Sequence, residues 1–94
     1  MEDFMLCEKG EAWKLLEKGV WDLEGEFPVN PSGGVVCTNP IGATAMIRVA
    51  EAALQIRGDA GEHQVTREVK RAIASSWGGA SWSILFLLTK SLYD

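Results

Sequence analysis

The segment from Asn30 to Thr44 constrains the fold of this chain more than any other part of the sequence. It opens with an Asn-Pro turn, and the pair Gly33-Gly34 then gives the backbone freedom for a tight turn or a close approach. Val35 to Cys37 predicts a short buried strand. Asn39-Pro40 predicts the start of a helix, because Asn caps free amides and Pro suits the first helical position. A turn, a strand and a helix in such close succession favour an α/β protein.

Composition restricts the class of protein further. The chain has 94 residues, enough for one small domain, and its 47% apolar and 23% charged content is that of a globular protein. A net charge of −4 without a Lys/Arg cluster argues against a nucleic-acid partner, which needs a basic face. The longest apolar run, Ile84 to Leu88, is too short to cross a bilayer, so no membrane partner is expected.

The two cysteines and the N-terminal sequence allow predictions about a metal site and about the cellular compartment. Cys7 and Cys37 show no Cys-x-x-Cys spacing and no accompanying His pair, so no metal site is expected. The sequence shows no secretory signal pattern, and a reduced, cytoplasmic setting is therefore the expectation.

The hydrophobic pattern predicts helices in two places. Residues 8–18 predict a short amphipathic helix that ends at Gly19, and residues 20–27 predict an extended arm or hairpin. A longer helix is predicted from Asn39-Pro40 to Gly58, with a wide apolar stripe that includes Ile41.

The rest of the chain predicts strands. Residues 59–68 form a polar connection, residues 69–75 a strand, residues 76–81 a Gly-rich turn and residues 83–90 a last strand. The last strand is so apolar that we expect it to be buried on both faces, which these few helices cannot achieve. The chain is therefore predicted to be part of a larger layered α/β domain.

Several motifs, in order along the chain, resemble the C-terminal part of the thiolase family. They are Cys-Glu-Lys-Gly-Glu-Ala at 7–12, Phe-Pro-Val-Asn-Pro-Ser-Gly-Gly at 27–34, Arg-Gly-x-Ala-Gly-x-x-Gln-Val at 57–65 and Ser-Trp-Gly-Gly at 76–79. The likeness is closest to the branch of lipid-transfer (sterol-carrier) thiolases and their archaeal relatives. It implies that residues 1–94 are a partial thiolase C-terminal domain, α/β in class, with a mixed sheet covered by helices.

The resemblance also implies which positions belong to a site. Thiolases condense or cleave acyl-CoA thioesters with a nucleophilic cysteine, a histidine of a His-Pro motif and a second, acid–base cysteine. The nucleophile lies in the family's N-terminal half, the histidine aligns with Asn39 after a run one residue shorter, and the acid–base cysteine aligns at or near Ser75. Neither Asn39 nor Ser75 titrates near neutral pH. The remaining substrate-loop or structural positions are Asn30, Gly33, Gly34, Pro40, Gly42, Gly78 and Gly79.

Each of these residues also has a purely structural interpretation. Asn39 is an active-site hydrogen-bond donor or a plain helix cap. The pairs Gly33-Gly34 and Gly78-Gly79 line a ligand tunnel or serve tight backbone packing. For Trp77 and Trp82, the functional interpretation is that they narrow an acyl tunnel, and the structural one is that they pack in the core or between subunits.

The cysteines and the single histidine are weighed in the same way. Cys37 is interpreted either as a relocated nucleophile or as a small buried residue, because free cysteines are commonly buried. Cys7 is expected to be inert. His63 is expected to be exposed in its polar loop.

Two functions follow from the resemblance. The first is a C-terminal fragment or subunit of a thiolase-like acyltransferase of the acetyl-CoA acetyltransferase type, active only when completed by an N-terminal half with the nucleophilic cysteine. Its partners would be an acyl-CoA substrate, that half, a homo- or hetero-oligomer and a zinc-ribbon/OB-fold protein, with no cofactor beyond the coenzyme A thioester. The alternative is a non-catalytic binding or scaffold module, or a degenerate remnant. An independent acidic adaptor is disfavoured by the uncovered apolar strand.

Overall fold

The computed structural model describes residues 1–34, 41–78 and 82–92. The chain divides into two compact units, Met1–Pro31 and Ser32–Asp94. Each is described by itself below.

The first unit contains one short helix, α1, at Ala12–Glu17. The predicted helix over residues 8–18 is therefore too long at its N-terminal end, because Gly10 has a φ of 79°, which an α-helix cannot contain. The predicted stop at Gly19 is confirmed. Gly19 has a φ of 74°, and the amide of Val20 donates to the Leu15 carbonyl at 3.0 Å, which closes the last turn.

Residues 20–27 form consecutive turns and bends without a strand, so the predicted extended arm or hairpin is wrong. The amide of Phe27 donates to the Val20 carbonyl at 2.9 Å, which brings the ends of this segment together. Gly25 allows the compact path, because a Cβ at this position would lie 2.3 Å from the carbonyl oxygens of Gly19 and Val20. An extended segment would not place these atoms together.

Trp21 forms the core of the first unit. Its side chain is buried, and the indole Nε1–H donates to the Ala12 carbonyl on α1 at 3.2 Å. The Phe27 ring meets the indole edge-to-face at 5.8 Å between centroids. The turns after α1 thus fold back onto the helix around one aromatic side chain.

The second unit contains the longer helix, α2, at Thr44–Arg57, preceded by a 3₁₀ turn at Ile41–Ala43. The α-helix begins later than predicted, with Ala43 at the N-cap position. Ile41 has a φ of 52° and is 84% exposed, so it does not belong to the apolar stripe. Asn39, Pro40 and the predicted strand Val35 to Cys37 lie outside the described residues.

The predicted end of α2 is confirmed. Gly58 has a φ of 79°, and the Asp59 amide donates to the Leu54 carbonyl at 2.9 Å. This is the hydrogen-bond pattern that usually closes a helix at a left-handed glycine.

An antiparallel hairpin of strands β1, Arg71–Gly78, and β2, Trp82–Thr89, completes the second unit. The register pairs Arg71 with Thr89 and Gly78 with Trp82. The first strand continues through Gly78, so the predicted turn over 76–81 is too long. Helix α2 packs against β1, with Ala52 and Ala74 buried at the contact. Helix and sheet confirm the α/β class.

The apolar side chains of β2 stay largely exposed on both faces of the hairpin. Ile84 and Phe86 alternate with Leu85 and Leu87 along the strand, and Leu87 is 65% exposed. Within the described residues the second unit therefore leaves β2 without the covering layers that such a strand normally has. None of the described helices has the length and apolar character needed to cross a membrane.

Candidate functional site around Ser75

Ser75 lies in the middle of β1, on the face of the strand that points away from α2. Side chains alternate between the faces of a strand, and Ala74 is buried on the α2 side. Ser75 is half-buried and pairs directly with Leu85 of β2. We call this surface the open face and define it by Ile73, Ser75 and Trp77 of β1 with Leu85 and Leu87 of β2.

The open face is an apolar surface with one hydroxyl at its centre. Ile73, Trp77, Leu85 and Leu87 are all exposed. The Ser75 hydroxyl can donate or accept a hydrogen bond, but it is not an acid or base near neutral pH. A residue that cannot exchange protons near neutral pH thus lies where, or close to where, the resemblance implies the acid–base cysteine.

Arg48 of α2 contacts the backbone of the same residue. Its guanidinium Nη1 donates to the Ser75 carbonyl oxygen at 2.7 Å. This distance is at the short end of the range for hydrogen bonds from a charged donor. The contact joins the helix directly to the strand position that carries the candidate site residue.

A second polar contact set, the Gln55 clasp, holds the segment after α2 against the helix. Gln55 is only 4% exposed, and its side-chain amide makes three hydrogen bonds, one of them from Nε2 to Glu51 Oε1 at 3.0 Å. Its Oε1 accepts from the Val65 amide at 2.9 Å, and its Nε2 donates to the His63 carbonyl at 2.9 Å. Gln64 reinforces the clasp by donating to the Gln55 carbonyl at 3.1 Å and accepting from the Ala60 amide at 3.0 Å.

His63 is partly exposed and is paired with Glu51 of α2, so the prediction of an exposed histidine is confirmed in part. The His63 Nε2 atom lies 2.9 Å from Glu51 Oε1, and the His63 side chain is 39% exposed. The pair lies between α2 and the segment that follows it, whereas the Ser75 side chain is on the opposite face of β1. The structure does not bring His63 to Ser75.

The predicted loop residues fall in different places. Asn30 belongs to the first unit, is exposed and has a φ of 50°. Gly33 and Gly34 belong to the second unit, with φ values of 93° and 64°. Two successive left-handed residues favour the interpretation that this pair serves a tight backbone turn. Gly42 is exposed in the 3₁₀ turn, and a Cβ there would meet no atom within 4 Å.

The other predicted positions surround the hairpin loop or lie outside the described residues. Gly78 is the last residue of β1 and pairs with Trp82. Trp77 and Trp82 are both exposed, so they do not pack into a core within the described part of the chain. Asn39, Pro40, Cys37 and Gly79 are not among the described residues.

Neither a metal cluster nor an activated thiol is found in ranges 1–34, 41–78 and 82–92. In these ranges no three or more His, Cys, Asp or Glu side chains lie together in a group that could hold a metal ion. Cys7 is a free cysteine, and desolvation together with the nearby Glu2 carboxylate raises the pKa of its thiol. A raised pKa lowers the thiolate fraction, as expected for an inert cysteine.

Sequence reasoning missed Arg48 and Gln55. Gln55 carried a usable signal, because it is a polar residue inside a stretch of small and apolar residues on α2. Arg48 carried none, because its contact depends on how α2 crosses β1.

Comparison with known proteins identifies the family. Residues 1–90 match the family described as thiolase C-terminal domain-like. The match covers nearly the whole chain, so the chain belongs to this family. The helix and hairpin of the second unit are accordingly part of the thiolase C-terminal α/β fold.

The chain is similar to proteins from both branches that the motifs resemble. An acetyl-CoA acetyltransferase of Methanothermobacter thermautotrophicus is 44% identical over 66 residues, which cover 69% of this chain and 17% of the relative. Sterol carrier protein 2 of Homo sapiens and of Bos taurus is 39% identical over 61 residues, which cover 64% of this chain and 11% of the relative. The chain thus spans less than a fifth of the length of these curated relatives.

Proposed function

We propose that this chain is the C-terminal part of a thiolase-like acyl-CoA acyltransferase of the acetyl-CoA acetyltransferase type. The family match over residues 1–90 carries the proposal. The 44% identity to an archaeal acetyl-CoA acetyltransferase supports the choice of reaction type. Turnover requires the N-terminal half of a thiolase, because the nucleophilic cysteine belongs to that half.

The exposed surface of the hairpin supports this division of the enzyme. Leu85 and Leu87 on the open face are 55% and 65% exposed, and Trp77 beside them is 73% exposed. An apolar patch of this kind typically marks a surface that another protein layer covers. We propose that the N-terminal half of the thiolase is that layer.

In this proposal the chain shapes the site, and the groups that transfer protons during thiolysis belong to the N-terminal half. Ser75 and Asn39 occupy the positions of proton-handling residues without being able to titrate. By the family resemblance, the substrate-loop or structural positions are Asn30, Gly33, Gly34, Pro40, Gly42, Gly78 and Gly79. The thioester is the only coenzyme involved, the assembly is a homo- or hetero-oligomer, and a zinc-ribbon/OB-fold protein is a further partner. The proposed location is the cytoplasm, where the Cys7 thiol stays reduced.

Fragment complementation tests the proposal. The archaeal acetyl-CoA acetyltransferase, with the segment that matches this chain removed, is co-expressed with the tagged full chain. The proposal predicts co-purification in equal amounts and thiolysis of acetoacetyl-CoA above the level of either part alone. Co-purification without turnover would remove the enzymatic part of the proposal, and no co-purification would remove both parts.

A matched pair of variants keeps this experiment specific. Leu87→Glu places a charge on the open face, and Met46→Glu places one on a similarly exposed apolar residue of α2. The proposal predicts that Leu87→Glu abolishes co-purification and that Met46→Glu does not. Equal behaviour of the two variants would show that the open face is not the contact surface.

The alternative function is a non-catalytic thiolase-derived binding or scaffold module, or a degenerate remnant. The Ser75 hydroxyl on the open face, in place of a thiol, favours it. Asn39→His combined with Ser75→Cys discriminates the two functions in the complemented enzyme. Thiolysis that rises with the double substitution indicates a modified site, and thiolysis that stays at background indicates a module without catalysis.

A further inference from the structure

The ladder between the strands fixes the direction of the Ser75 carbonyl. The Lys90 amide donates to the Lys70 carbonyl at 2.9 Å, which makes Lys70 and Lys90 a hydrogen-bonded pair of the antiparallel ladder. Hydrogen-bonded and non-hydrogen-bonded pairs alternate along such a ladder. Ala74 and Ser76 therefore exchange hydrogen bonds with β2, and the carbonyl of Ser75 points away from β2.

Arg48 satisfies this outward-pointing carbonyl. A half-buried backbone carbonyl without a partner is costly, and the Arg48 Nη1 donor lies 2.7 Å from its oxygen. The donor is charged and its planar guanidinium holds a defined direction, so the bond restrains the strand more than a water molecule would. The restraint acts on the residue whose side chain lies at the centre of the open face.

We propose that Arg48 is a positioning residue for the Ser75 site. It fixes the backbone at Ser75 from the α2 side and thereby sets where the side chain at this position stands on the open face. Its importance for an acyl-CoA reaction rests on the proposed function. The positioning itself is a property of this chain and is tested on the chain alone.

A second arginine of α2 provides the matched control. Arg57 is bound to the exposed Asp59 carboxylate at 3.0 Å, and its own side chain is 69% exposed. Replacing it removes the same charge from the same helix without touching β1. Arg48→Met and Arg57→Met thus differ in the one contact at issue, and Arg48→Lys restores a charged donor at the first site.

Amide hydrogen exchange on the full chain is the deciding experiment. Arg48→Met should speed exchange at Ala74 and Ser76 by about tenfold or more, because losing a hydrogen bond to a charged group has an effect of this size. Arg57→Met should leave both amides unchanged, and Arg48→Lys should recover most of the protection. A role limited to general stability would instead speed exchange in α2 and β1 together, without rescue by lysine, and would overturn the proposal.

A thiol probe reports directly on the side-chain position. Ser75→Cys is made in each arginine background, and iodoacetamide alkylation is read on the peptide that spans residues 72–90. The alkylation rate should change severalfold with Arg48→Met, stay constant with Arg57→Met and return with Arg48→Lys. A rate that is indifferent to Arg48 would contradict positioning, whether or not the complemented enzyme turns over.

The unsubstituted chain covers the case in which Arg48→Met fails to fold. In its NMR spectrum the Nη protons of Arg48 should exchange slowly and show a cross-peak to the Ser76 α-proton, which lies on the same edge of β1 as the Ser75 carbonyl. Those of Arg57 should exchange fast. Arg48 protons that behave like those of Arg57 would overturn the proposal.

Discussion

The Gln55 clasp allows the sharpest prediction for the stability of the second unit. Gln55→Leu keeps the side-chain size but removes the acceptor of the Val65 amide and the donor to the His63 carbonyl. Val65 is buried, so its stranded amide costs about 1–3 kcal/mol, and the lost carbonyl contact adds about 1 kcal/mol. The apolar leucine offsets part of this loss, which leaves a net destabilisation of about 2 kcal/mol.

Urea unfolding followed by circular dichroism at 222 nm measures this change, because α2 is the longest helix among the described residues. Hydrogen exchange provides a local reading, since the Val65 amide should lose at least about tenfold of its protection. Arg57→Met on the same helix breaks only an exposed ion pair and should change stability by at most about 0.5 kcal/mol. A Gln55→Leu variant as stable as Arg57→Met would refute the clasp as a stabilising contact.

Three further predictions concern the first unit. Gly25→Ala should destabilise the first unit by about 2 kcal/mol or more, because the new Cβ would lie 2.3 Å from backbone oxygens. The change in Trp21 fluorescence on heating should then occur at a lower temperature. An unchanged transition would contradict the compact turn. Trp21→Phe should cost about 1 kcal/mol for the lost bond to the Ala12 carbonyl, measured in urea, and a neutral effect would show that this bond is unimportant. The Cys7 thiol should alkylate more slowly than a reference peptide thiol at pH 8, because desolvation and Glu2 raise its pKa. Glu2→Gln should move the midpoint of its pH–rate curve to lower pH, and a shift to higher pH would disprove that influence.

Glycines and strand patterns made the ends of both helices and the strands of the hairpin predictable. Gly58 ends α2 and Gly19 ends α1 because a left-handed residue after a helix is strongly selected for glycine. The hairpin followed from two apolar β-prone runs around a Gly-rich turn, although β1 extends through Gly78. The family could be read from motifs in order along the chain.

Other features depend on contacts that the sequence does not display. Nothing local shows that Gly10 takes a left-handed conformation and delays α1, or that Trp21 draws the following turns onto the helix. The partners of His63 and Arg48 are set by the packing of α2 against distant segments. The sequence could therefore indicate Ser75 as a candidate residue, whereas its place on the open face required the register of the hairpin.

An affinity pull-down of the tagged full chain from its native host, read by quantitative mass spectrometry, tests whether this chain completes a thiolase. If this chain completes a thiolase, a thiolase N-terminal half with its nucleophilic cysteine should be recovered in equal amounts with this sequence, either as a separate chain or within one polypeptide. Recovery of this sequence with chaperones alone would contradict the claim that it completes a thiolase.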